Sequence, residues 1–252
     1  FYMNYTMPPL HSDGAGSANR ASNFTAVYGK TITNDLGIFL EETYTGVGIE
    51  GGGTQWGWQN LDGSIRYLAV NIPDHEFLMS LGLDRETGGT GAGRVGASPS
   101  GATTPQLYLG KGLGDLDIGY LRPLAITTFS GVTLADKAPR PDVTSNGFSV
   151  QYSIPYLQSK VRSFDLPDIV RQMTPMTEVL FTSPVGRSYG ARTTALIAPG
   201  VSYSGEGWEL AVEALIPATR ATGSGVGVTA QLHVALDFFL SDSIGKPLFS
   251  NP

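Results

Sequence analysis

Val226 to Leu240, VGVTAQLHVALDFFL, is the stretch that decides the fold, because every second residue in it is apolar. The even positions carry Val, Ala, Leu and Phe, whereas most of the odd positions carry small or polar side chains. Strict alternation with a period of two predicts a strand with one apolar and one polar face. At about 3.3 Å per residue, the strand would extend roughly 50 Å, enough to cross a bilayer at a tilt.

The composition agrees with a membrane-spanning barrel. Charged residues make up 15% of the 252 residues, against roughly 25% in soluble domains, and there are 33 glycines. The mean hydropathy is −0.02, yet no run of the sequence approaches the roughly 18 consecutive apolar residues of a membrane helix. Alternating strands produce this combination, because half of their side chains face lipid and half face a polar interior.

Charge and cysteine content exclude several classes of function. A net charge of −6 and a pI near 5.0 argue against nucleic acid as a partner. The absence of cysteine excludes thiolate metal sites, thiol nucleophiles and disulfides, and nothing in the sequence predicts a cofactor. The chain opens with Phe1-Tyr-Met-Asn rather than a basic and then apolar leader, so we expect a mature or truncated chain.

Eleven candidate strands are separated by connections that alternate between short and long. Outer-membrane barrels have short periplasmic turns, longer extracellular loops, an even strand number and both termini in the periplasm. A twelfth strand must then precede residue 24, and Phe1–Leu10 is the candidate. The eleven strands are 24–33, 36–46, 57–72, 76–86, 104–112, 118–133, 147–159, 170–183, 192–203, 208–218 and 225–240.

We therefore predict an all-β fold, a closed antiparallel transmembrane β-barrel of about twelve strands. The barrel would be a single outer-membrane domain over residues 1–252, in which residues 241–252 form a C-terminal tail. Ten strands are the alternative, if Phe1–Leu10 is itself a tail and one weak strand does not form.

Four stretches resemble a known group of proteins: HEFLMSLGLDRETGGTGAGRVGAS (75–98), LYLGKGLGDL (107–116), LRPLAIT (121–127) and SIGKPLF (243–249). They are similar to a largely uncharacterised group of proteobacterial outer-membrane proteins. That group is loosely similar to the barrel family named for the MetA pathway of phenol degradation. The resemblance covers about a third of the chain and implies an envelope barrel with a transport role. It implies no particular functional residues.

The motifs that could carry catalysis are weak. Gly91-Ala-Gly-Arg-Val-Gly96 fits the dinucleotide pattern G-x-G-x-x-G, but the fingerprint needs a helix to begin there. ASPSGATTP follows instead, so we expect a flexible outer loop. The three histidines, His11, His75 and His233, are accompanied by no G-x-S-x-G nucleophile elbow. We predict that the chain is not an enzyme.

The polar face of the last strand indicates a polar lumen. If 208–218 and 225–240 form a hairpin, Glu209 faces His233 and Glu213 faces Thr229, about 5 Å apart. This arrangement is either a polar site or a structural pair. A charge on the lipid face would cost roughly 2–4 kcal/mol at the midplane, so other mid-strand charges should also point inward. Their mixed signs indicate a salt-bridge network rather than a selectivity ring. The further lumen charges that we predict are Arg66, Arg122, Glu178 and Asp237.

The function that this sequence favours is a narrow pore, a passive conduit for small molecules across the bacterial outer membrane. The alternative is a barrel subunit that anchors an envelope or cell-surface complex and transports nothing itself. Outer-membrane lipid is the expected partner, joined by other envelope proteins in the alternative. An outer-membrane enzyme ranks third, and a secreted β-sandwich is the non-membrane alternative. The sequence does not identify the solute.

Overall fold

A computed structural model describes residues 1–12, 18–48, 52–186, 188–241 and 246–249. Twelve antiparallel strands form a closed barrel, in which the last strand pairs with the first, as predicted. The strands are β1 (Tyr2–Met7, continued by His11–Ser12), β2 (Ala18–Thr31), β3 (Leu36–Gly48), β4 (Thr54–Trp58 and Leu61–Ile72), β5 (Phe77–Thr87), β6 (Ala102–Gly112), β7 (Leu124–Ala135), β8 (Asp142–Tyr152), β9 (Met173–Val185), β10 (Thr194–Gly205), β11 (Trp208–Pro217) and β12 (Gly227–Val234).

Short helical turns occupy some connections between the strands. None of the helices in the described part of the chain is both long enough and apolar enough to cross a membrane. The turns are Pro73–His75, Gly93–Val95, Gly119–Leu121, Ile154–Tyr156, Leu157–Val161, Asp168–Arg171, Arg220–Thr222 and Leu236–Phe239. Of the predicted C-terminal tail, residues 242–245 and 250–252 lie outside the described residues.

Two strands are interrupted without leaving the wall. Pro8 and Pro9 break β1, since proline has no N–H to donate to a neighbouring strand. In β4, both segments pair with β3, and Gln59 and Asn60 separate them. The Asn60 side chain is buried there, and its contacts belong to the lumen described below.

The alternation of side chains separates the two faces of the wall. Leu40 and Leu81 face outward and are about half exposed, at 50% and 49%. Val27 and Ala198 face inward and are 2% and 0% exposed. Exposed apolar side chains around the outside and enclosed small side chains within are what a barrel needs in a bilayer. The low exposure of these small side chains means that neighbouring inward side chains cover them.

The last strand is shorter than predicted and ends at Val234. Its partner β11 begins at Trp208, which lies opposite Val234, so no strand is left to bond the residues beyond. The Ala235 N–H donates instead to the Gly207 carbonyl at 2.8 Å, and Leu236–Phe239 forms a helical turn. The prediction of a 50 Å strand that continues to Leu240 is therefore wrong. Asp237, which we placed in that strand, lies beyond the end of β12 and outside the barrel wall.

A second boundary correction moves Arg122 out of the wall. The strand predicted at 118–133 begins at Leu124, because Gly119–Leu121 is a helical turn. The Arg122 Nε donates to the Gly114 carbonyl at 2.7 Å, so the side chain braces this connection.

At the same end of the barrel, two connections do not follow the predicted alternation of short and long. The connections at 113–123 and 153–172 are both long, although they lie on the side of the short turns. They contact each other where the Arg162 guanidinium donates to the Tyr120 hydroxyl at 3.3 Å.

An arginine on the outer face tests the assignment of the two faces. We expect Leu81→Arg to lower the free energy of unfolding by about 2–4 kcal/mol in lipid bilayers, because its charge would enter the hydrocarbon. Ser80→Arg, one residue away on the inner face, is the matched control. Urea titration of the protein folded into vesicles measures both. Equal losses for the two variants would contradict the assignment.

Candidate functional site

One continuous row of inward side chains crosses seven strands of the barrel. Each member lies directly opposite the next, which fixes a common face for all of them. The hairpin register is as predicted, with Glu209 opposite His233 and Glu213 opposite Thr229. The row comprises Glu209, His233, Tyr2, Val27, Glu41, Asp62 and Glu86.

Carboxylates outnumber cations on this inner face. Alternation along the strands turns seven carboxylates inward. Arg66 is the one arginine or lysine at an inward strand position among residues whose side chains are described, and Arg140 reaches the lumen from a loop. The seven are Glu41, Asp62, Asp84, Glu86, Glu178, Glu209 and Glu213.

The sequence reasoning missed four of these carboxylates as candidate site residues: Glu41, Asp62, Asp84 and Glu86. A signal for two of them was present, because Asp84 and Glu86 alternate with apolar residues along β5. In the described lumen, the predicted salt-bridge network is reduced to one ion pair, between Arg140 and Glu86. The lumen is acidic rather than balanced.

A cavity of about 440 Å³, which we call the lower chamber, lies at the end of the barrel where β1 begins and β12 ends. It brings together three of the predicted residues, Arg66, Glu209 and His233, with Tyr2 and Phe39. Of the other predicted residues, Glu178 lies opposite Ser149 further round the wall. Asp237 lines a separate cavity below, beside Lys30 and His233.

Arg66 is held in the middle of the barrel by two aromatic rings. Its guanidinium carbon lies 4.5 Å from the ring centre of Phe39 and 4.8 Å from that of Tyr108. Both distances are within the range of cation–π attraction. Glu41 and Asp84 are within electrostatic reach of the same guanidinium. The chain has thus placed a cation of its own between two rings and two carboxylates.

The upper chamber, a cavity of about 520 Å³, opens at the other end of the barrel. Asp62, Glu86 and Arg140 line it together with the neutral side chains of Asn23 and Thr45. The Thr45 hydroxyl donates to the Asn23 amide oxygen at 3.0 Å, which ties the two strands inside the lumen.

The loop at 88–101, which we predicted as a flexible outer loop, connects β5 and β6 at this end of the barrel and folds into the mouth. Gly57 on the inner face of β4 leaves room for it: a β-carbon there would lie 2.9 Å from the Ala92 β-carbon and 3.1 Å from Val95. Val95 is 5% exposed. The Arg94 Nε donates to the Trp56 carbonyl at 2.7 Å, which fastens the loop to β4 from within the mouth.

Asn60 fastens the other side of the loop. Its amide nitrogen donates to the Glu86 carboxylate at 2.6 Å and to the Ser98 carbonyl at 2.8 Å. Its amide oxygen accepts from the Gly91 N–H at 2.9 Å. Both amide hydrogens and the amide oxygen of this 5% exposed side chain therefore bond to the loop and its supporting carboxylate.

A second loop braces the first. Arg140 pairs with Glu86 and donates to the Ser100 carbonyl at 2.8 Å. Its own loop is anchored where Arg85 donates to both oxygens of Asp136, at 2.7 and 2.6 Å. These hydrogen bonds from Arg85 hold the pKa of Asp136 below its usual range. The constriction at the mouth is consequently supported from two strands and two loops.

Several polar atoms in the lumen have no protein partner. They are the side-chain oxygens Asn4 Oδ1, Asp62 Oδ1 and Glu213 Oε1, and the nitrogen Arg66 Nε. Buried polar groups need a hydrogen-bond partner, so these atoms favour water or a polar solute inside the barrel. In the described part of the chain, no group of three or more His, Asp or Glu is arranged to hold a metal ion.

Several solved structures have a similar architecture. The KdgM porin aligns over 93% of this chain and 98% of its own, with a TM-score of 0.54 and 11% identity. The COG4313 outer membrane channel from Pseudomonas putida F1 aligns over 92% of both chains, with a TM-score of 0.59 and 8% identity. The chain has the fold of bacterial outer-membrane β-barrels.

A third similar structure, the NanC porin, aligns over 92% of this chain and 98% of its own, with a TM-score of 0.52 and 10% identity. No protein-family model matches the sequence, and no curated protein matches it significantly. The likeness therefore extends to the fold, at identities too low to assign a function.

Crowding at Gly57 tests the inward position of the loop. We expect Gly57→Leu to displace residues 88–101, because the side chain would overlap Ala92 and Val95. The displaced loop should be cut by trypsin after Arg94 many times faster than in the wild type. The cleavage rate is measured by mass spectrometry, from the appearance of the fragments 1–94 and 95–252.

Gly63→Leu is the matched control for this experiment. It lies on the outer face of the same strand, where a β-carbon has no neighbour closer than 3.9 Å. Equal cleavage of the two variants would contradict an inward loop.

Proposed function

We propose that the chain forms a narrow passive pore for small molecules across the bacterial outer membrane. The observation that carries the proposal is the polar lumen, where two chambers of about 440 and 520 Å³ lie inside one closed wall. Unpartnered polar atoms such as Asp62 Oδ1 line it, where they can hydrogen-bond water or a polar solute. The outward apolar face contacts outer-membrane lipid.

The strand number supports a narrow rather than a wide pore. Barrels of about eight strands are filled by side chains, and barrels of about sixteen leave an open aqueous channel. Twelve strands lie between these limits, and the loop at 88–101 narrows the mouth further. The pore should therefore pass small solutes and exclude folded or polymeric ones.

The structural relatives support the pore over the anchoring subunit, because three of them are named porins or channels. Their ligands are not carried over. The KdgM porin has been solved with oligogalacturonate, an acidic sugar chain, whereas seven carboxylates of the described strands face the lumen of this chain. Membership of the group related to the MetA-pathway barrels remains a prediction from the sequence, as does the absence of enzymatic activity.

Single-channel recording tests the proposal. We expect the refolded chain to give small, discrete current steps in planar lipid bilayers. Gly57→Leu should give larger steps, since it moves the loop out of the mouth, while Gly63→Leu should match the wild type. Folding is checked independently by heat-modifiable migration on gels. A folded wild-type protein that inserts into the bilayer and never conducts would overturn the pore, and co-purification of a stoichiometric partner would then favour anchoring.

A further inference from the structure

The charges along the lumen are distributed in a way that bears on which solutes can pass. Three carboxylates, Glu41, Asp62 and Glu86, stand on adjacent strands in one row, and Asp84 lies one step away on β5. Among the described residues, Arg66 and Arg140 approach this group from within the lumen. A low-dielectric wall focuses the field of such an excess along the path.

Arg140 leaves the middle of the path acidic. Its guanidinium is already committed to Glu86 and to the Ser100 carbonyl at the outer mouth. The charge next to the midpoint is therefore that of Arg66, set against Glu41 and Asp84. A mobile anion that enters through the upper chamber meets this excess of negative charge, whereas the charged residues Arg66, Lys30 and Glu209 line the lower chamber.

The surroundings of Arg66 form a cradle for a planar cation. Phe39 and Tyr108 present their rings to the guanidinium at 4.5 and 4.8 Å, and aromatic faces attract cations. The side chain lines the lower chamber, and its Nε has no protein partner. A guanidinium locked in a salt bridge would satisfy its donors on carboxylates. The contact of this one with the rings leaves the carboxylates available to a second cation.

We propose that the pore selects small organic cations, and that these compete with the Arg66 guanidinium for the cradle of Phe39 and Tyr108. This inference rests on the proposed pore. Arg66 is a tethered competitor, present at a high effective concentration, so it keeps the cradle from retaining a passing cation. A passing cation shares the cradle and the neighbouring carboxylates briefly, and then moves to the next chamber.

The first measurement is the reversal potential of the wild-type pore under a KCl gradient. A bilayer of diphytanoyl phosphatidylcholine is used, since it carries no net charge of its own. We expect K⁺ to be favoured over Cl⁻ by about five-fold or more, because one unit charge at roughly 4 Å enriches K⁺ by about five-fold even at the dielectric constant of water, before its repulsion of Cl⁻ is counted. A pore that conducts but prefers Cl⁻, or does not discriminate, overturns the inference and leaves the pore intact. A chain that never conducts overturns the pore.

The second measurement examines the cradle with guanidinium chloride at low, non-denaturing concentrations. In Arg66→Ala, the cradle is free, so guanidinium should block the K⁺ current at a concentration roughly 2- to 30-fold lower than in the wild type, the range of a cation–π contact. Arg171→Ala is the control, because Arg171 lies in a helical turn outside the barrel wall and pairs with Asp165.

A third variant separates the cradle from a general change in charge. Tyr108→Leu, added to Arg66→Ala, removes one ring and should return the block toward the wild-type concentration. If Arg66→Ala is blocked no more readily than the wild type, the cradle is not a cation site. The wild-type reversal potential needs no variant, so the selectivity is tested even if Arg66→Ala does not fold.

Discussion

The structure depends on one constraint: within a bilayer, every backbone N–H and C=O must find a partner in the protein. A closed barrel meets it by bonding the last strand to the first, and here β12 pairs with β1 from Tyr2 to Met7. In a closed wall, the alternation of side chains along each strand separates inside from outside, which puts Leu40 and Leu81 on the lipid side and Val27 and Ala198 inside. The polar lumen is a consequence of the same geometry, since each strand must turn half of its side chains inward.

The width and the charge of the lumen depend on residues that are not needed to close the barrel. Gly57 gives the loop at 88–101 a place inside the mouth, and Asn60 supplies the hydrogen bonds that keep it there. Arg66 is held by rings rather than by a carboxylate. A wall of the same twelve strands with a larger residue at position 57 would be open at that end. The width and the charge of the lumen are therefore set independently of the fold.

The sequence was sufficient for the wall and for the register of one hairpin. Alternation along β11 and β12 predicts Glu209 opposite His233 if the two strands form a hairpin, because a slip of one residue would turn the polar face outward. It could not show where β12 ends, since the apolar pattern continues through Leu240 while the partner strand has already begun at Trp208. Where a strand ends therefore depends on where its neighbouring strand begins. The inward loop escaped prediction for a similar reason, because its contacts with Gly57 and Asn60 are distant in sequence.

The adjacent residues Glu41 and Glu42 show that the alternation of side chains holds even for charged residues. A strand that turns Glu41 into the lumen must turn Glu42 toward the lipid, so the expectation that mid-strand charges point inward is wrong for Glu42. Its carboxyl lines a groove of about 410 Å³ on the outer face, beside Phe24, Tyr44 and Trp58, and its Oε2 is shielded from solvent. An acidic residue costs less there than Arg or Lys would, and the aromatic side chains cover part of it. Alternation is kept even where it exposes an unfavourable group, because breaking it would invert every side chain beyond that point of the strand.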